Sequence, residues 1–582
     1  MSLGALDAAM SEAMLEFLGP PGSGAAEVLN ALAGYWRLCE EPARDIARVF
    51  YDTFDWALFA DGGTLERRDA AAGTGPGAEL VWSPLAGASA PGSEPLTQPS
   101  PGEPSFVAEL PEGAVRSRIL GVTGIRRLLP TMRIQTRART LRALNDDDKT
   151  LWRATLEEGR FQDPRGDGSG ELALRIRVLP SRGHEEERDI LLGQLTSDLG
   201  LTPAEEPLLV EALGAEGRRP CDYSSKIDFK LDPNARADLV AKTILLGLLD
   251  TVERNLEGAR DNLDSEFLHD LRVAVRRTRS AITQIRSVLP EPVVEHYKER
   301  FAWVQQVTGP VRDLDVYLLD FGDYQASLPP LLRPHLEPMR TFILDHYDEE
   351  QGRLAQILDG PELRTLLAQW RAFLEAPVPD HPEAEDAGDP IQSVASARIW
   401  RMAKRVRLEG RAIRPESPAT DMHELRKSCK KLRYLMEFFQ SLYPEDEIRP
   451  LIRLLKDLLD NLGSFQDSTV QAAHLRELAG RMGSAGKGDT DTLLAMGALI
   501  GQVLERQQRV RDAFDEVFAR FQDRDNRRRL RRLFHPGRTR ERARRRGKLR
   551  DSEAGPTETT PADNGIGAEA GAGAFGPSPP TT

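Results

Sequence analysis

The sequence predicts two domains of different class: a strand-based domain toward the N-terminus, then a larger all-α bundle built from two copies of one unit. Three observations carry this. Segments such as Met132-Arg-Ile-Gln-Thr-Arg137 and Leu151-Trp-Arg-Ala-Thr-Leu156 alternate apolar and polar residues, the period of strands with one face in and one out. From Ala235 to about Phe521 the texture becomes helical, with runs rich in Ala, Leu, Arg and Glu split by Pro and Gly. Within that region a basic motif occurs twice, 154 residues apart.

At 582 residues the chain is too long for one ordinary core. Residues 1–42 are Ala/Gly-rich and broken by Gly19-Pro-Pro-Gly-Ser-Gly24, which predicts a poorly structured arm with a short helix over Met10 to Leu18. No basic n-region precedes an apolar run, so no secretory signal is expected, and no run approaches the ~20 residues that span a bilayer. Cys39, Cys221 and Cys429 are isolated, which fits a reducing compartment and neither a zinc set nor a disulfide framework. A cytoplasmic location without a membrane partner is expected.

Residues 43–215 hold the strand-based domain. Ile46 to Tyr51 reads as a strand, Asp52-Thr-Phe-Asp-Trp56 as a turn, and Asp61-Gly-Gly as a second turn before Thr64. Residues 70–111 are rich in Ala, Gly, Pro and Ser, so a flexible insertion is expected. Strand texture then resumes, Asp189 to Leu213 reads as helical, and residues 216–234 form a linker.

The block FYDTFDWALFADGGTLERR resembles a segment of the CYTH superfamily. The resemblance implies an antiparallel tunnel barrel that acts on tripolyphosphate-type substrates through acidic metal ligands and inward-facing basic residues. The Glu-x-Glu-x-Lys strand that opens the active enzymes is not found before Tyr51. The strand Leu172 to Val178 carries arginines where paired acids would hold Mg²⁺, and without oxygen ligands a divalent ion has no site. A degenerate CYTH-like domain follows, with no catalytic residue, metal or cofactor expected. Arg133, Arg137, Arg175 and Arg177 form its candidate anion site if they line the tunnel; the alternative is that they face solvent.

Residues 235–523 hold the helical domain, as repeats 235–376 and 391–523 joined by the acidic, Pro-rich stretch 377–390. In the first repeat His269, Arg272, Arg276 and Arg279 stand at positions 0, +3, +7 and +10, within an arc of roughly 80° on a helix. Arg277 lies on the shoulder of that face, and Leu271, Val275, Ile282 and Ile285 form an apolar stripe opposite. In the second repeat His423 is followed by Arg426, Lys427, Lys430, Lys431 and Arg433. Gly309-Pro-Val-Arg-Asp313 and Gly463-Ser-Phe-Gln-Asp467 keep the same offset, which marks an internal duplication. The second repeat opens with a further basic helix bearing Arg398, Arg401, Lys404 and Arg405.

A His-x-x-Arg helix with further basic residues, present twice and each time followed by a Gly-x-x-x-Asp helix end, resembles the CHAD domain, the conserved histidine α-helical domain. The resemblance covers about half of the chain and implies a helical binder of inorganic polyphosphate associated with polyphosphate granules. The residue chemistry agrees. Each motif lays cations along roughly 15 Å, and guanidinium forks take two phosphate oxygens at once. Asp313 and Asp467 are expected to cap helices or to anchor basic side chains. Neither motif histidine has ligand-spaced partners for a metal, nor an evident nucleophile to activate. His296, His335, His346 and His474 read as ordinary.

The net charge is −13, yet residues 524–550 carry 14 Lys/Arg against Asp525 and Glu541, a local +12 that leaves −25 elsewhere. This run and the low-complexity end to residue 582 are expected to be disordered, with the run able to bind nucleic acid or an acidic protein through charge. The reading that follows is non-catalytic polyphosphate binding at granules. Its rivals are a metal-dependent CYTH-type triphosphatase regulated by the CHAD unit, and a nucleic-acid or protein scaffold working through the tail.

Overall fold

The computed structural model describes residues 15–69, 77–85, 94–166, 168–181 and 183–535. Its strands are β1 (Leu15–Leu18), β2 (Arg37–Glu40), β3 (Arg44–Asp52), β4 (Gly63–Asp69), β5 (Ala78–Pro84), β6 (Leu96–Ser100), β7 (Leu129–Leu144), β8 (Thr150–Gln162), β9 (Ser169–Glu171), β10 (Arg175–Pro180) and β11 (Thr202–Pro203). They form one sheet in the order β11-β1-β10-β8-β7-β3-β4-β5-β6, with β2 on β7 and β9 on β8. Every pairing is antiparallel.

Helices α1 (Ala25–Ala33), α2 (Ala57–Ala60), α3 (Ala114–Thr123), α4 (Glu185–Gly193) and α5 (Leu208–Ala215) accompany the sheet. One face packs Leu141, Trp152 and Ile176 under α1 and α4, and Tyr51, Leu65 and Trp82 under α3. The other face packs Phe50, Ile134 and Phe161 under α5. Directly paired residues share a face. The pairings Arg48–Ile134, Glu66–Phe50 and Arg175–Glu157 therefore put those charged side chains on the α5 face.

Several expectations are corrected here. The N-terminal arm contributes β1, α1 and β2, and Leu15–Leu18 is a strand, while residues 1–14 lie outside the described residues. The stretch read as a flexible insertion contains β5 and β6, whose Leu80 and Val81 are buried; its segments 70–76 and 86–93 lie outside the described residues. Short polar runs masked the strands between them. The basic run begins as a helix through Phe534, because Leu530, Leu533 and Phe534 are apolar at helical spacing and are buried. Residues 536–582 lie outside the described residues.

The helical domain comprises α6 (Ala237–Arg260), α7 (Ser265–Gln284), α8 (Glu291–Val307), α9 (Gly309–Leu319), α10 (Phe321–Ser327), α11 (Glu337–Leu358), α12 (Pro361–Glu375), α13 (Ile391–Ala412), α14 (Ala419–Phe438), α15 (Glu445–Ser484), α16 (Thr490–Asp512), α17 (Phe514–Phe521) and α18 (Arg524–Phe534). The duplication is visible in the elements. Both ends of α7 recur in α14 at an offset of 154. Ala237 N donates to Asp389 O and Ile391 N donates to Ala235 O, both at 2.9 Å, about a bridge between Arg236 and Pro390. Exchanging the two copies, with the donor moved forward by 154 and the acceptor back by 154, turns one bond into the other, the signature of a local two-fold axis.

The copies differ at one residue with a structural consequence. Pro310 has no amide hydrogen to continue a helix, so the first copy breaks between α8 and α9 at Thr308. Ser464 stands at the matching position, and α15 runs through it for 40 residues. The expectation of a helix end at both Gly-x-x-x-Asp units is thus corrected: Gly463 and Asp467 lie within α15, and Asp313 lies inside α9.

The two domains meet at the start of α7. Phe54 packs on Tyr223 and Phe267 with ring centroids 4.4 and 4.6 Å away. Asp264 caps α7 by accepting from Glu266 N and Phe267 N, and it also accepts from Arg127 N at 3.0 Å. One carboxylate thus fixes both the helix that carries His269 and the segment leading into β7.

Candidate functional site

Helices α7 and α14 each bury an apolar stripe. Leu271, Val275, Ile282 and Ile285 are 2% exposed or less, as are Leu432, Leu435, Met436, Phe438 and Phe439. This packing turns the opposite, basic edges toward one another. Between them lies a cavity of about 690 Å³ lined by His269, Arg272 and Arg276 from one copy and His423, Arg426 and Lys430 from the other. These are positions 0, +3 and +7 of both motifs. The two histidines, 154 residues apart in sequence, share one concave surface.

The two central arginines are held in different ways. Arg272 Nη1 donates to Gln305 O (2.8 Å) and Thr308 Oγ1 (2.7 Å), both at the C-terminal end of α8. Arg426 Nη2 donates to Asp467 Oδ1 at 3.1 Å. Asp467 therefore anchors a basic side chain, one of the two roles expected for it. His423 Nδ1 lies 2.9 Å from Gln466 Oε1, and in the first copy Arg312 occupies the position matching Gln466.

The electrostatics are those of crowded cations. Burial lowers the His269 pKa to about 4, helped by Arg312, Arg276 and Arg272 and opposed by Asp270. Lys430 is lowered to about 8 by burial, then by Arg426 and Arg276. Burial also pushes Arg272 down, against Asp313. An anion in the cavity would reverse each shift, because opposite charge favours the protonated form.

The remaining predicted residues lie elsewhere. Arg277 Nη1 donates to Ser225 O at 2.7 Å, and Arg279 does not line the cavity. Lys427 pairs with Glu424 (2.7 Å) on the exposed side of α14, and Lys431 is also outside the lining. Arg433 pairs with Glu437 at 3.3 Å. Position +10 lies farther along the helix than the cavity reaches. Arg398 is held by Asp386 (3.2 Å) and Ser287, while Arg401, Lys404 and Arg405 are exposed on α13, away from the cavity.

The four arginines of the sheet do not form one site. Arg133 and Arg137 are exposed on the face of β7 opposite Ile134 and Thr136. Arg175 and Arg177 lie on the other face, already matched: Arg175 by Glu16 (2.5 Å) and Glu211 (2.8 Å), Arg177 by Glu16 (3.0 Å) and Glu157 (3.1 Å). Glu16 sits on β1, a strand before Tyr51 that the sequence reading did not find. That strand reads Leu15-Glu-Phe-Leu18, with Glu16 its only acidic residue.

The cavity also holds Arg312, Arg506 and His474, together with Tyr317, Tyr324, Asp313 and Asp320. His474 was read as ordinary. A signal was present: Asp313, Tyr317, Asp320 and Tyr324 are spaced i, i+4, i+7 and i+11, one helical stripe beginning in the repeated unit. Among the described residues no group of three His, Cys, Asp or Glu side chains converges as a metal set. No helix among them is long and apolar enough to cross a membrane.

Against known families, residues 243–476 match the CHAD domain. This stretch is a CHAD domain. It contains both motif histidines and most of the cavity; α16, with Arg506, lies beyond it. Among solved structures, the helical half is similar to the CHAD domain from the plant Ricinus communis, at 23% identity over 50% of this chain and 95% of that one, with a TM-score of 0.43. PptA from Streptomyces chartreusis shows 16% identity over 49% and 99%, with a TM-score of 0.39. HpAC1 from Hippeastrum, a putative adenylyl cyclase with a dominant triphosphatase activity, shows 12% identity over 36% and 99%, with a TM-score of 0.25. No curated protein matches the chain.

Proposed function

We propose that the CHAD domain binds inorganic polyphosphate in the cavity between α7 and α14, without catalysis, and that this brings the protein to polyphosphate granules. The observation that carries the reading is the shared cavity, in which six Arg/Lys side chains meet three aspartates and three histidines. A flexible, unbranched chain of phosphates satisfies several guanidiniums at once, and His269 and Lys430 gain protons as it enters. The sheet domain is read as a support that seats α7, since the carboxylates on its α5 face are already engaged by arginine.

Titration of long-chain polyphosphate against the full chain tests this. Arg272→Glu combined with Arg426→Glu is expected to weaken binding by on the order of 100-fold at ~0.1 M salt, and each lost contact lowers the log–log salt slope by about one. Unchanged affinity in the double variant would refute cavity binding. Mg²⁺-dependent phosphate release from tripolyphosphate by the full chain would favour the triphosphatase reading instead.

A further inference from the structure

Helix α18 packs antiparallel along α13. Arg411 Nε donates to Gln522 Oε1 at 3.0 Å at one end, and Trp400 meets the His535 ring at 5.2 Å at the other. Arg407 lies between these points and feels Arg527 and Arg411, which with burial push its pKa down. Trp400, Lys404, Arg407 and Arg411 are spaced i, i+4, i+7 and i+11, so one stripe of α13 runs beside α18. Two basic helix edges are thus placed next to each other, away from the cavity.

Some cations of this edge are paired with acids and others are not. Arg405 has Glu409, Arg528 has Asp525 and Arg532 has Glu447. Among the described residues no ion pair involves Arg401, Lys404, Arg407, Arg411, Arg527 or Arg531. The Nε of Arg407 is buried without a hydrogen-bond partner. Helix α18 docks through Leu530, Leu533 and Phe534, so apolar burial holds like charges together that would otherwise separate.

We infer that the α13–α18 edge is a second polyphosphate-binding surface, outside the cavity, on which the same chain continues or another chain lies. This rests on the reading of the cavity as a polyphosphate site. The paired edges run about 15 Å, ten residues of helix, with axes about 8–10 Å apart. That shallow channel suits a thin polymer of phosphates better than a nucleic-acid duplex. Phe534 is buried and the Trp400 ring is engaged by His535, so base stacking, which single-stranded nucleic acid needs for affinity, is poorly served. With two separate surfaces, one protein bridges distant parts of a long polymer, and the second contact is strengthened by proximity.

The test uses the full chain with Lys404→Glu, Arg527→Glu and Arg531→Glu together, all exposed positions. The triple variant is expected to bind long-chain polyphosphate at least tenfold more weakly, with a salt slope lower by about three, yet to bind tripolyphosphate as the parent does. Equal long-chain affinity and slope in variant and parent would overturn the second surface. If RNA binds the parent more tightly than long-chain polyphosphate and the triple variant loses it, the assigned occupant is wrong. If Arg272→Glu with Arg426→Glu changes nothing while the triple variant abolishes binding, the surface stands and the cavity reading falls. Circular dichroism and thermal melts of each variant separate lost binding from lost folding.

Discussion

The sheet and the bundle use the same side chain to opposite ends. On the α5 face of the sheet, Arg48 lies 3.1 Å from Glu157 and 3.8 Å from Glu66, and Arg175 and Arg177 share Glu16 with Glu211 and Glu157. Every one of these guanidiniums has a carboxylate. In the bundle cavity Arg426 has Asp467, but six Arg/Lys side chains outnumber three aspartates, His269 is pushed toward neutrality and Lys430 loses much of its basicity. The lesson is that arginine count does not identify an anion site. What identifies it is positive charge that the fold leaves uncompensated, since a guanidinium already neutralised inside the protein has little to offer a ligand.

The most severe way to break this comparison is to remove the compensation in the sheet. Glu157 is 4% exposed and touches both Arg48 and Arg177. Glu157→Gln keeps the shape but strands buried positive charge, so chemical denaturation should show a loss of about 3–5 kcal/mol. A change below about 1 kcal/mol would mean that these ion pairs are incidental to the sheet and that the contrast is false. The cavity double variant described above should do the reverse, costing affinity and leaving the fold stable.

How much of this was legible follows from where the signals come from. The helix faces were, because period and residue type set which side of α7 and α14 is apolar. The repeat was legible from a constant offset, and a constant offset also survives into hydrogen bonds, as the Ala237–Asp389 and Ile391–Ala235 pair shows. What the sequence could not show was which basic positions share a void. Position +10 resembles +7 in chemistry, but the cavity ends before Arg279 and Arg433. Arg398 looks like a ligand residue until Asp386 is seen beside it. His474 follows the Asp467 motif by two turns of α15 without belonging to it, and Arg506 comes from α16, outside both motifs; packing brings both in. The short strands β1, β5 and β6 were missed because a few apolar residues set among Gly, Pro and Ser resemble a loop until neighbouring strands complete their hydrogen bonds.

A pH series sharpens the comparison with a smaller effect. The ordinary histidine value is ~6.5. In the free protein His269 stands near 4, so the folded state binds fewer protons than the unfolded chain between about 4 and 6.5. Stability from this group is therefore full above about 6.5 and falls as pH drops toward 4. Lys430, near 8, acts likewise between about 8 and its ordinary value of ~10.4. Polyphosphate should reverse both signs by drawing protons in. Affinity is expected to rise as pH falls from 7 toward 5, by no more than about one log unit per pH unit for each proton taken up, and to fall above about 8. Calorimetry in buffers of different ionisation enthalpy reads the proton uptake directly. His269→Gln should flatten the acid limb alone; an unaltered acid limb would place the ligand away from His269.

The finest test lies on one helix. Lys427 and Lys430 are three residues apart on α14 and carry the same formal charge, yet Lys427 faces solvent beside Glu424 while Lys430 lines the cavity. If the domain attracts polyphosphate through net charge alone, changing either lysine to alanine should cost the same, because long-range fields barely distinguish sites closer than a Debye length of ~10 Å. If uncompensated charge in the cavity is what binds, Lys430→Ala should weaken binding by roughly tenfold, the scale of one charge-assisted contact, and Lys427→Ala should stay within about twofold. Equal effects from the two substitutions would return the site to a diffuse basic surface. Unequal effects in the stated order would tie recognition to the six positions where the two repeats turn toward each other.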